Sequence, residues 1–414
     1  MNDNEEKRSI MKLLILWRGL PFRFSPPLSR PYYFIKFFSS KTSITLASPL
    51  NMYDTSLLDN VRLEIIPVPT LTKFYSKALF SIINRITLTN ICYTRDFNIA
   101  KSYYPSFQKL IIEILKKEDF DVIYSDSRVS SYLFYYKLKG KIKAPIILEF
   151  FNPELYSERQ FFKFGTISYK FIHLFRYLLF RLFEVEQYKH FDAGIYVSKT
   201  HLELSKPFIP KKCFVIPPGV DLEFFKPSNT ESTDPTILFT GSINYIPNIS
   251  AILWFYYKIY PYIKQKVPNV KFYIVGRNPS ARIMKLSIDK SIIVTGEVED
   301  IRPYFAKASV FINPIVLDDG GIKNKVLEAM AMGKAIVSTP LGARDLNVID
   351  DKNILIAQNE IDFANKVIEL LKDENKRKKL GKEARKFVEK NYSWEKQSSM
   401  LYDILKFFAE RSKK

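Results

Sequence analysis

Cysteine and histidine are scarce in this chain of 414 residues, and each scarcity excludes a class of protein. Two cysteines, Cys92 and Cys213, cannot supply the disulfide framework of a small secreted protein or a zinc site built from paired cysteines. The three histidines, His173, His190 and His201, are too scattered along the chain to indicate a zinc site. We therefore expect no disulfide framework, no zinc site and a reducing compartment.

Long apolar runs are also absent. None approaches the roughly 18 residues that a membrane-spanning helix needs. The first apolar run, MKLLILW, is short enough to be a buried strand, and the polar N-terminus MNDNEEKRS carries no secretory signal. These absences predict a cytoplasmic protein.

Positive charge is abundant, with a formal net charge of +20. Such an excess favours an anionic partner, which could be a nucleic acid, a phosphorylated substrate or an anionic membrane surface. Charge alone does not distinguish among these three partners. A basic surface with no specific anionic partner is the alternative explanation. No nucleic-acid recognition motif accompanies the charge, so we expect no nucleic-acid partner.

Short apolar segments alternate with helical segments along the chain. In the first half, the strand-like segments are 12–17, 43–48, 63–68, 121–126, 144–150, 193–198 and 213–218. In the second half, they are 236–241, 270–276, 291–296, 309–314 and 335–339. Helical spacing marks 28–39, 107–117 and about 154–190. This alternation predicts an α/β fold of two doubly wound Rossmann-like domains that face each other across a ligand-binding cleft.

The stretch PPGVDLEFFKPSNTESTDP, which starts at Pro217, is rich in proline and small polar residues and predicts an interdomain crossing. We therefore expect an N-terminal domain at 1–217 and a C-terminal domain at 218–390. A last helix, at 391–414, is expected to pack back on the N-terminal domain.

The richest motif is LDDGGIKNKVLEAMAMGKAIVSTPLG, residues 317–342. Gly320 and Gly321 precede a helix that we expect to start near Ile322. Paired glycines before a helix let an anion approach the unpaired N–H groups at its start. Lys325 falls in the first turn, so the motif predicts an anion site.

Glu328 lies three residues after Lys325, so both side chains project from one helix face. A surface ion pair is one explanation. It does not explain why this glutamate lies among apolar and small residues, where an acid needs a partner. Diphosphate bound at the amides and Lys325, with sugar hydroxyls on Glu328, is the alternative that we favour.

Four segments in order, VIPPGVDLEFFKP, FTGSINYIPNISAILWF, GEVEDIRPYFAKASVFINP and GIKNKVLEAMAMGKAIVSTPLGARDL, resemble the retaining glycosyltransferases of family 4. The resemblance covers most of 190–400. It implies the GT-B architecture and metal-independent transfer of a sugar from a nucleotide-diphosphate donor, a UDP- or GDP-sugar, which is a substrate and not a cofactor.

The resemblance also implies roles for single residues. Glu328 matches the second glutamate of the family's Glu-seven residues-Glu motif, which binds the nucleotide ribose. Gly321 and Ile322 match the loop whose amides meet the donor. Val298 matches a position that lines the base pocket, and Gly241 matches the loop that faces the donor phosphates.

The donor motif departs from the family at two places. Gly320 stands where the first glutamate is expected, which leaves Asp318 and Asp319 as candidates for its role. The usual Arg and Lys are missing from GSINYIPN, so Lys325 and Arg277 are candidates for that charge. We take Lys325 and Asp319 as the candidate catalytic residues.

The N-terminal half matches less well. The segment LPFRFSPPLSRPYYFIKFF lacks the family's glycine-rich acceptor loop, although Arg30 matches its arginine. The family's histidine is not evident in LEFFNPELYSE, where Glu149 and Asn152 are the candidates for the acceptor side. Helix capping or surface polarity remains the alternative for these residues.

The acceptor is expected to be a glycan or a polyprenyl-linked molecule. Aromatic, lysine and arginine residues mix at 159–191, which suits either an anionic membrane at its inner face or a core helix with snorkelling cations. The other hypotheses are a GT-B-fold epimerase or phosphorylase and a non-catalytic partner subunit that binds a nucleotide sugar or a glycan. The missing first glutamate motivates the partner subunit.

Overall fold

The computed structural model describes residues 10–17, 26–49, 61–66, 110–127, 130–151, 185–206, 209–228, 234–317 and 320–412, with single residues between 156 and 181. The chain forms two compact units. The first comprises Met1–Ile216 and Ser398–Lys414, and the second comprises Pro217–Gln397. The chain therefore enters the second unit at Pro217 and changes unit again inside its last helix.

The first unit is built on a parallel sheet whose seven strands follow the order β3-β2-β1-β4-β5-β6-β7. The strands are β1 (Met11–Leu16), β2 (Thr42–Pro49), β3 (Arg62–Ile66), β4 (Val122–Asp126), β5 (Ile146–Phe150), β6 (Ala193–Tyr196) and β7 (Cys213–Val215). Apolar residues dominate β1, β5 and β6, and every residue of β4 and β5 is buried. Near-continuous apolar strands are typical of parallel sheets covered on both faces.

Four helices of the first unit have complete bounds. They are α1 (Pro26–Phe38), α2 (Ser130–Leu138), α3 (Val185–Tyr188) and α4 (Lys199–Ser205). Residues 110–117 are also helical, and Ile111 and Ile114 pack in the same core cluster as Leu14 of β1 and Ile123 of β4.

The second unit repeats the arrangement with six parallel strands in the order β10-β9-β8-β11-β12-β13. The strands are β8 (Thr236–Thr240), β9 (Lys271–Val275), β10 (Ile292–Gly296), β11 (Val310–Asn313), β12 (Ala335–Ser338) and β13 (Leu355–Ile356). In both sheets the order reverses beside the first strand, which is the Rossmann pattern.

Eight further helices have complete bounds. They are α5 (Ile246–Lys258), α6 (Tyr260–Lys266), α7 (Ala281–Met284), α8 (Arg302–Lys307), α9 (Asn324–Ala331), α10 (Glu360–Lys372), α11 (Glu374–Asn391) and α12 (Trp394–Ser412). Alternate residues of β8 belong to different core clusters. Ile237 and Phe239 pack with α5 and α6, whereas Leu238 packs with α8, α9 and α11. Both faces of the sheet are therefore covered.

The α12 helix carries the chain from the second unit into the first. Its residues from Ser398 onward belong to the first unit, where Tyr402 contacts Phe38 and Phe408 contacts Phe214 through their rings. Along the part of the chain that the structure describes, no helix combines the length and the apolar character that crossing a membrane requires.

The expected alternation of strands and helices is confirmed. Where the strand bounds are described, they differ by at most two residues, except that β7 ends at Val215 and not at 218. Two further details differ. The short β13 was not expected from the sequence. The prediction that a helix starts near Ile322 is wrong. The backbone of Lys323 is extended, and α9 begins at the next residue, Asn324. Most of the expected helical region at 154–190 lies outside the described residues.

Candidate functional site

The residues of the glycine-rich motif gather at the reversal point of the second sheet. Strand β8 ends at Thr240 and its neighbour β11 ends at Asn313, and their connections leave the same edge because the strands are parallel. Ligands in open α/β folds bind at this edge, where neighbouring connections diverge. Gly241 follows β8, and the loop that carries Gly320 follows β11.

The turns after β8 and β9 are pressed together. Gly276 has φ of 152°, and a Cβ at this position would collide with the carbonyl oxygen of Gly241. Backbone hydrogen bonds from Gly241 N to Val275 O and from Ile243 N to Arg277 O, both 3.1 Å, fix the approach. Only glycine fits at Gly276 without a shift of the neighbouring backbone.

Lys325 reaches from α9 to the turn after β8. Its ammonium donates to Asn248 Oδ1 at 2.7 Å and lies 4.0 Å from the ring centroid of Phe239. A Cβ at Gly241 would stand 3.1 Å from Lys325 Nζ, so the cation lies directly beside this turn. Of the two candidates for the missing charge, Lys325 is at this turn, whereas the side chain of Arg277 is exposed beyond β9.

The paired glycines form a turn that only glycine adopts readily. Gly320 and Gly321 have φ of 69° and 70°. The ammonium of Lys323 donates to both of their carbonyl oxygens, at 2.8 Å and 3.1 Å. Lys323 therefore fixes the turn immediately before α9, a role that the sequence did not reveal. Asp318 and Asp319 lie outside the described residues.

Glu328 occupies a half-buried position on α9, between the buried Leu327 and Ala329. No hydrogen bond joins its carboxylate to any of the described residues, and it forms no surface ion pair with Lys325. Burial raises the pKa of this carboxyl to about 7, and the charge of Lys325 opposes the rise. A carboxylate that is surrounded by protein and still reached by solvent is suited to accept hydrogen bonds from a ligand.

Two of the expected donor-site residues are apolar. Val298, after β10, and Ile322, before α9, are both half-buried and pack against the core cluster that contains Val326 and Leu327. They form part of the apolar surface around α9. A planar base packs well against such a surface, and this role for Val298 stays a prediction.

Arg30 and Glu149 lie in the first unit and form a buried ion pair. Arg30 Nε is 2.7 Å from Glu149 Oε1, and their side chains are 2% and 0% exposed. Arg30 also donates to Ile216 O at 2.9 Å, and the Tyr124 hydroxyl donates to Glu149. Surface polarity is therefore the wrong explanation for both residues, and direct contact with an acceptor stays a prediction.

Burial dominates the protonation of this cluster. It raises the pKa of Glu149 to about 7, and Arg30 and Tyr124 oppose the rise. It also raises the pKa of the Tyr124 hydroxyl. Tyr124 was not identified from the sequence. A tyrosine within the buried strand VIYSD could have indicated it, because a buried hydroxyl needs a hydrogen-bond partner. Within the described ranges, no group of three or more metal-binding side chains is assembled.

Two family profiles match the chain. The profile described as Glycosyltransferase Family 4 matches residues 84–224, and the one described as Glycosyl transferases group 1 matches residues 234–373. Together they span more than half of the chain.

Individual proteins resemble the chain over different shares of its length. An uncharacterized 44.6 kDa protein in the cps region of Klebsiella pneumoniae is 24% identical over 336 residues, which cover 76% of this chain and 84% of that one. A GDP-mannose-dependent monoacylated alpha-(1-6)-phosphatidylinositol monomannoside mannosyltransferase of Corynebacterium glutamicum is 24% identical over 46% of this chain and 55% of its own length. The solved structure of Anabaena HepE in complex with UDP has a TM-score of 0.63 at 12% identity and covers 96% of this chain and 100% of that chain.

Two parallel sheets of Rossmann order, with a glycine-rich turn beside Lys325 at the reversal point of the second, give the chain the two-domain α/β architecture of the GT-B fold. The chain belongs to the group 1 glycosyltransferases of family 4. The expected family and fold class are confirmed.

Proposed function

We propose that this glycosyltransferase moves a hexose from a UDP- or GDP-sugar to a hydroxyl group of a glycan or lipid-linked acceptor, with retention at the anomeric carbon and without a metal. The anomeric C–O bond to the diphosphate breaks, and a bond to the acceptor oxygen forms on the same face of the sugar. The proton of the acceptor hydroxyl leaves with the diphosphate.

The half-buried carboxylate of Glu328 carries the proposal. It meets no hydrogen-bond donor among the described residues, yet it lies in a largely apolar helix three residues after Lys325. Ribose offers two neighbouring hydroxyl donors, and hydrogen bonds from them to this carboxylate would compensate its desolvation.

Other groups of the second unit would stabilise the departing diphosphate. Lys325 supplies a positive charge beside Gly241, and the amides around Gly321 and Ile322 precede the start of α9. Fixed donors and a cation of this kind stabilise developing negative charge without a metal ion. Arg277 is exposed near the same edge of the sheet and is the candidate for a second cation, and Asp319 remains the candidate for contacting the transferred sugar.

The names of related proteins support a nucleotide-sugar donor but leave its base open. The Corynebacterium glutamicum relative is GDP-mannose-dependent, and Anabaena HepE was crystallised with UDP. Both bases are planar and would pack against apolar side chains such as Val298.

Thermal-shift measurements with a panel of UDP-, GDP- and dTDP-sugars test the donor site. We expect one nucleotide class to stabilise the wild-type protein and to lose this effect in Glu328→Ala. Asp373→Ala, which removes a helix cap on the surface far along the chain from the motif, is the control and should keep the ligand-induced shift. No shift with any donor, or an equal shift in Glu328→Ala, would contradict the assignment.

A non-catalytic partner subunit is the second candidate, because Gly320 replaces the first glutamate of the family motif. Release of UDP or GDP from the donor that binds distinguishes the two. Slow release that accelerates with a hydroxyl acceptor supports the transferase. Tight donor binding without release, across a broad set of glycans and polyprenyl-linked acceptors, supports the binding subunit. Conversion of the donor without an acceptor would indicate an epimerase.

Peripheral binding to the inner face of an anionic membrane is the last part of the proposal. Phe171, Leu174 and Leu178 are exposed at helical spacing, and Lys170 and Arg181 lie at either end. Apolar side chains flanked by cations suit an anionic lipid surface. We expect the protein to float with anionic vesicles and not with phosphatidylcholine vesicles, and Phe171→Ser to weaken flotation. Equal flotation of the variant would contradict this surface.

A further inference from the structure

We propose that Asn248 is a positioning residue, whose side-chain amide holds the Lys325 ammonium beside the turn after β8 without adding a negative charge there. This role rests on the proposed function, in which that ammonium faces the diphosphate of the donor. Asn248 does not itself touch the donor in this proposal. It acts through Lys325.

Asn248 lies in the first turn of α5 and is only 7% exposed. A buried amide is costly unless both of its ends form hydrogen bonds. Here Asn248 Nδ2 donates to Ser242 O at 2.9 Å, and Oδ1 accepts from Lys325 Nζ at 2.7 Å. A carbonyl can only accept and an ammonium can only donate, so the amide has a single favourable orientation.

Besides the amide, the ring of Phe239 and the backbone of Gly241 lie against the lysine. The Phe239 ring lies under the ammonium at 4.0 Å, and the backbone of Gly241 adjoins it, where a Cβ would stand 3.1 Å from Nζ. Fixing a lysine side chain costs up to about 2 kcal/mol of rotamer entropy. Because the fold supplies these contacts before any ligand binds, the cation is already in place when negative charge develops on the leaving group.

The chemistry of the amide explains why an uncharged residue occupies this position. A carboxylate at the same place would form an ion pair with Lys325 and offset the charge that the diphosphate requires. It would also face the Ser242 carbonyl with a second acceptor and lose that hydrogen bond. Asparagine supplies a strong acceptor for the ammonium without adding negative charge beside an anionic ligand.

A double-mutant cycle on donor turnover tests the inference. The rates of UDP release from UDP-glucose and of GDP release from GDP-mannose are measured for wild type, Asn248→Ala, Lys325→Ala and the double variant. We expect Lys325→Ala to lower kcat about 100-fold, as for loss of one group that stabilises the leaving charge. Asn248→Ala should lower kcat about 10-fold, with a smaller change in KM, and should cause no further loss once Lys325 is absent.

Two further variants separate positioning from folding. Asn248→Asp keeps the size of the side chain, and we expect its kcat to fall at least as far as that of Asn248→Ala because the lysine charge is offset. Ile249→Ala removes core packing from the same helical turn. It should lower Tm and leave kcat unchanged at temperatures below the transition.

The outcomes distinguish the inference from the proposed function. If Asn248→Ala lowers kcat equally with and without Lys325, or lowers Tm but not kcat, the positioning role is overturned while the donor site stands. If no nucleotide sugar stabilises the wild-type protein and neither donor is turned over, the proposed function fails and the role of Asn248 fails with it.

Discussion

The polar residues that we singled out in the two units differ in their surroundings. In the first unit, Arg30 and Glu149 are buried and satisfy each other, with Tyr124 as a third partner. In the second unit, Glu328 is half-buried without a hydrogen bond from the described residues, and Lys325 is held by the neutral Asn248. The charges of the first set pair with each other, and those of the second set are the ones that the proposed donor would contact.

This difference indicates how the same sheet architecture serves two purposes. In a buried ion pair, each charge is compensated by its partner within the protein. A carboxylate with no protein partner has a cost in the free protein that only a ligand or water can relieve. We therefore expect a ligand to bind the second unit at Glu328.

Loss of one partner of the buried pair should have the largest effect on stability. We expect Arg30→Met to lower the free energy of unfolding by about 3–5 kcal/mol, because Glu149 then remains buried without its cation. The measurement is urea denaturation. Replacing both residues, as Arg30→Met with Glu149→Leu, should recover much of the loss. A double variant as unstable as Arg30→Met alone would show that the pair matters for another reason.

Gly276, in the turn after β9, should be the position where substitution has the next largest effect on stability. We expect Gly276→Ala to lower the free energy of unfolding by about 2–3 kcal/mol, because its φ of 152° is unfavourable for alanine and its Cβ would collide with the Gly241 carbonyl. Nucleotide-sugar binding should be lost as the turn after β8 shifts. Gly140→Ala, in the first unit, is the control, because its φ of 64° is also unfavourable but a Cβ there meets open space.

Gly140→Ala should therefore lower the free energy of unfolding by only about 1–2 kcal/mol, which is the strain of the left-handed conformation. It should keep nucleotide-sugar binding. Equal losses of binding in both variants would show that general destabilisation, and not the contact between the two turns, governs the site. Thermal-shift titration with the donor class that stabilises the wild type measures both variants.

Much of the fold could be predicted because local sequence encodes it. Apolar runs such as KLLILW and TILFTG fit buried parallel strands, and the paired glycines at 320 and 321 mark a turn that other residues disfavour. The start of α9 could not be predicted as well. It follows Lys323, whose backbone is extended and whose ammonium donates to the two glycine carbonyls.

The contacts that complete the site could not be predicted because they depend on strand order. Asn248 and Lys325 are 77 residues apart and meet only because β8 and β11 are neighbours. Hydrophobic periodicity locates strands but does not order them. The burial of Arg30 and Glu149 was missed for the same reason, since each alone looks like an ordinary charged residue.

The protonation of Glu328 predicts how the pH changes donor binding. Its pKa of about 7 in the free protein means that the carboxyl is protonated at acidic pH. Hydrogen bonds from ribose hydroxyls favour the ionised form, so donor affinity should rise with pH up to about 7 and then level off. We expect Glu328→Gln to abolish this rise and to weaken binding about 10-fold at pH 8, or roughly 1.4 kcal/mol.

Stability should change in the opposite direction. A carboxyl whose folded pKa lies above its unfolded value binds more protons in the native state, so the free energy of unfolding falls as the pH rises from about 4.5 to about 7. Glu328→Gln should flatten this fall, although Glu149, with a pKa also raised to about 7, should contribute a remaining slope. Identical slopes in the variant and the wild type would contradict the raised pKa of Glu328.

The smallest expected effect concerns the paired glycines of the second unit. Lys323→Ala removes two hydrogen bonds to the carbonyls of Gly320 and Gly321, and a hydrogen bond from a charged group contributes about 1.5–3 kcal/mol at most in a buried setting. Lys323 is half-buried and the turn can rearrange, so we expect a two- to fivefold loss of donor affinity, about 0.4–1 kcal/mol. Isothermal titration with the stabilising nucleotide sugar is the measurement.

Lys285→Ala, which removes an exposed lysine from the same unit, controls for the loss of one positive charge. If both variants weaken binding equally, Lys323 acts through charge alone, and the turn keeps its shape without it.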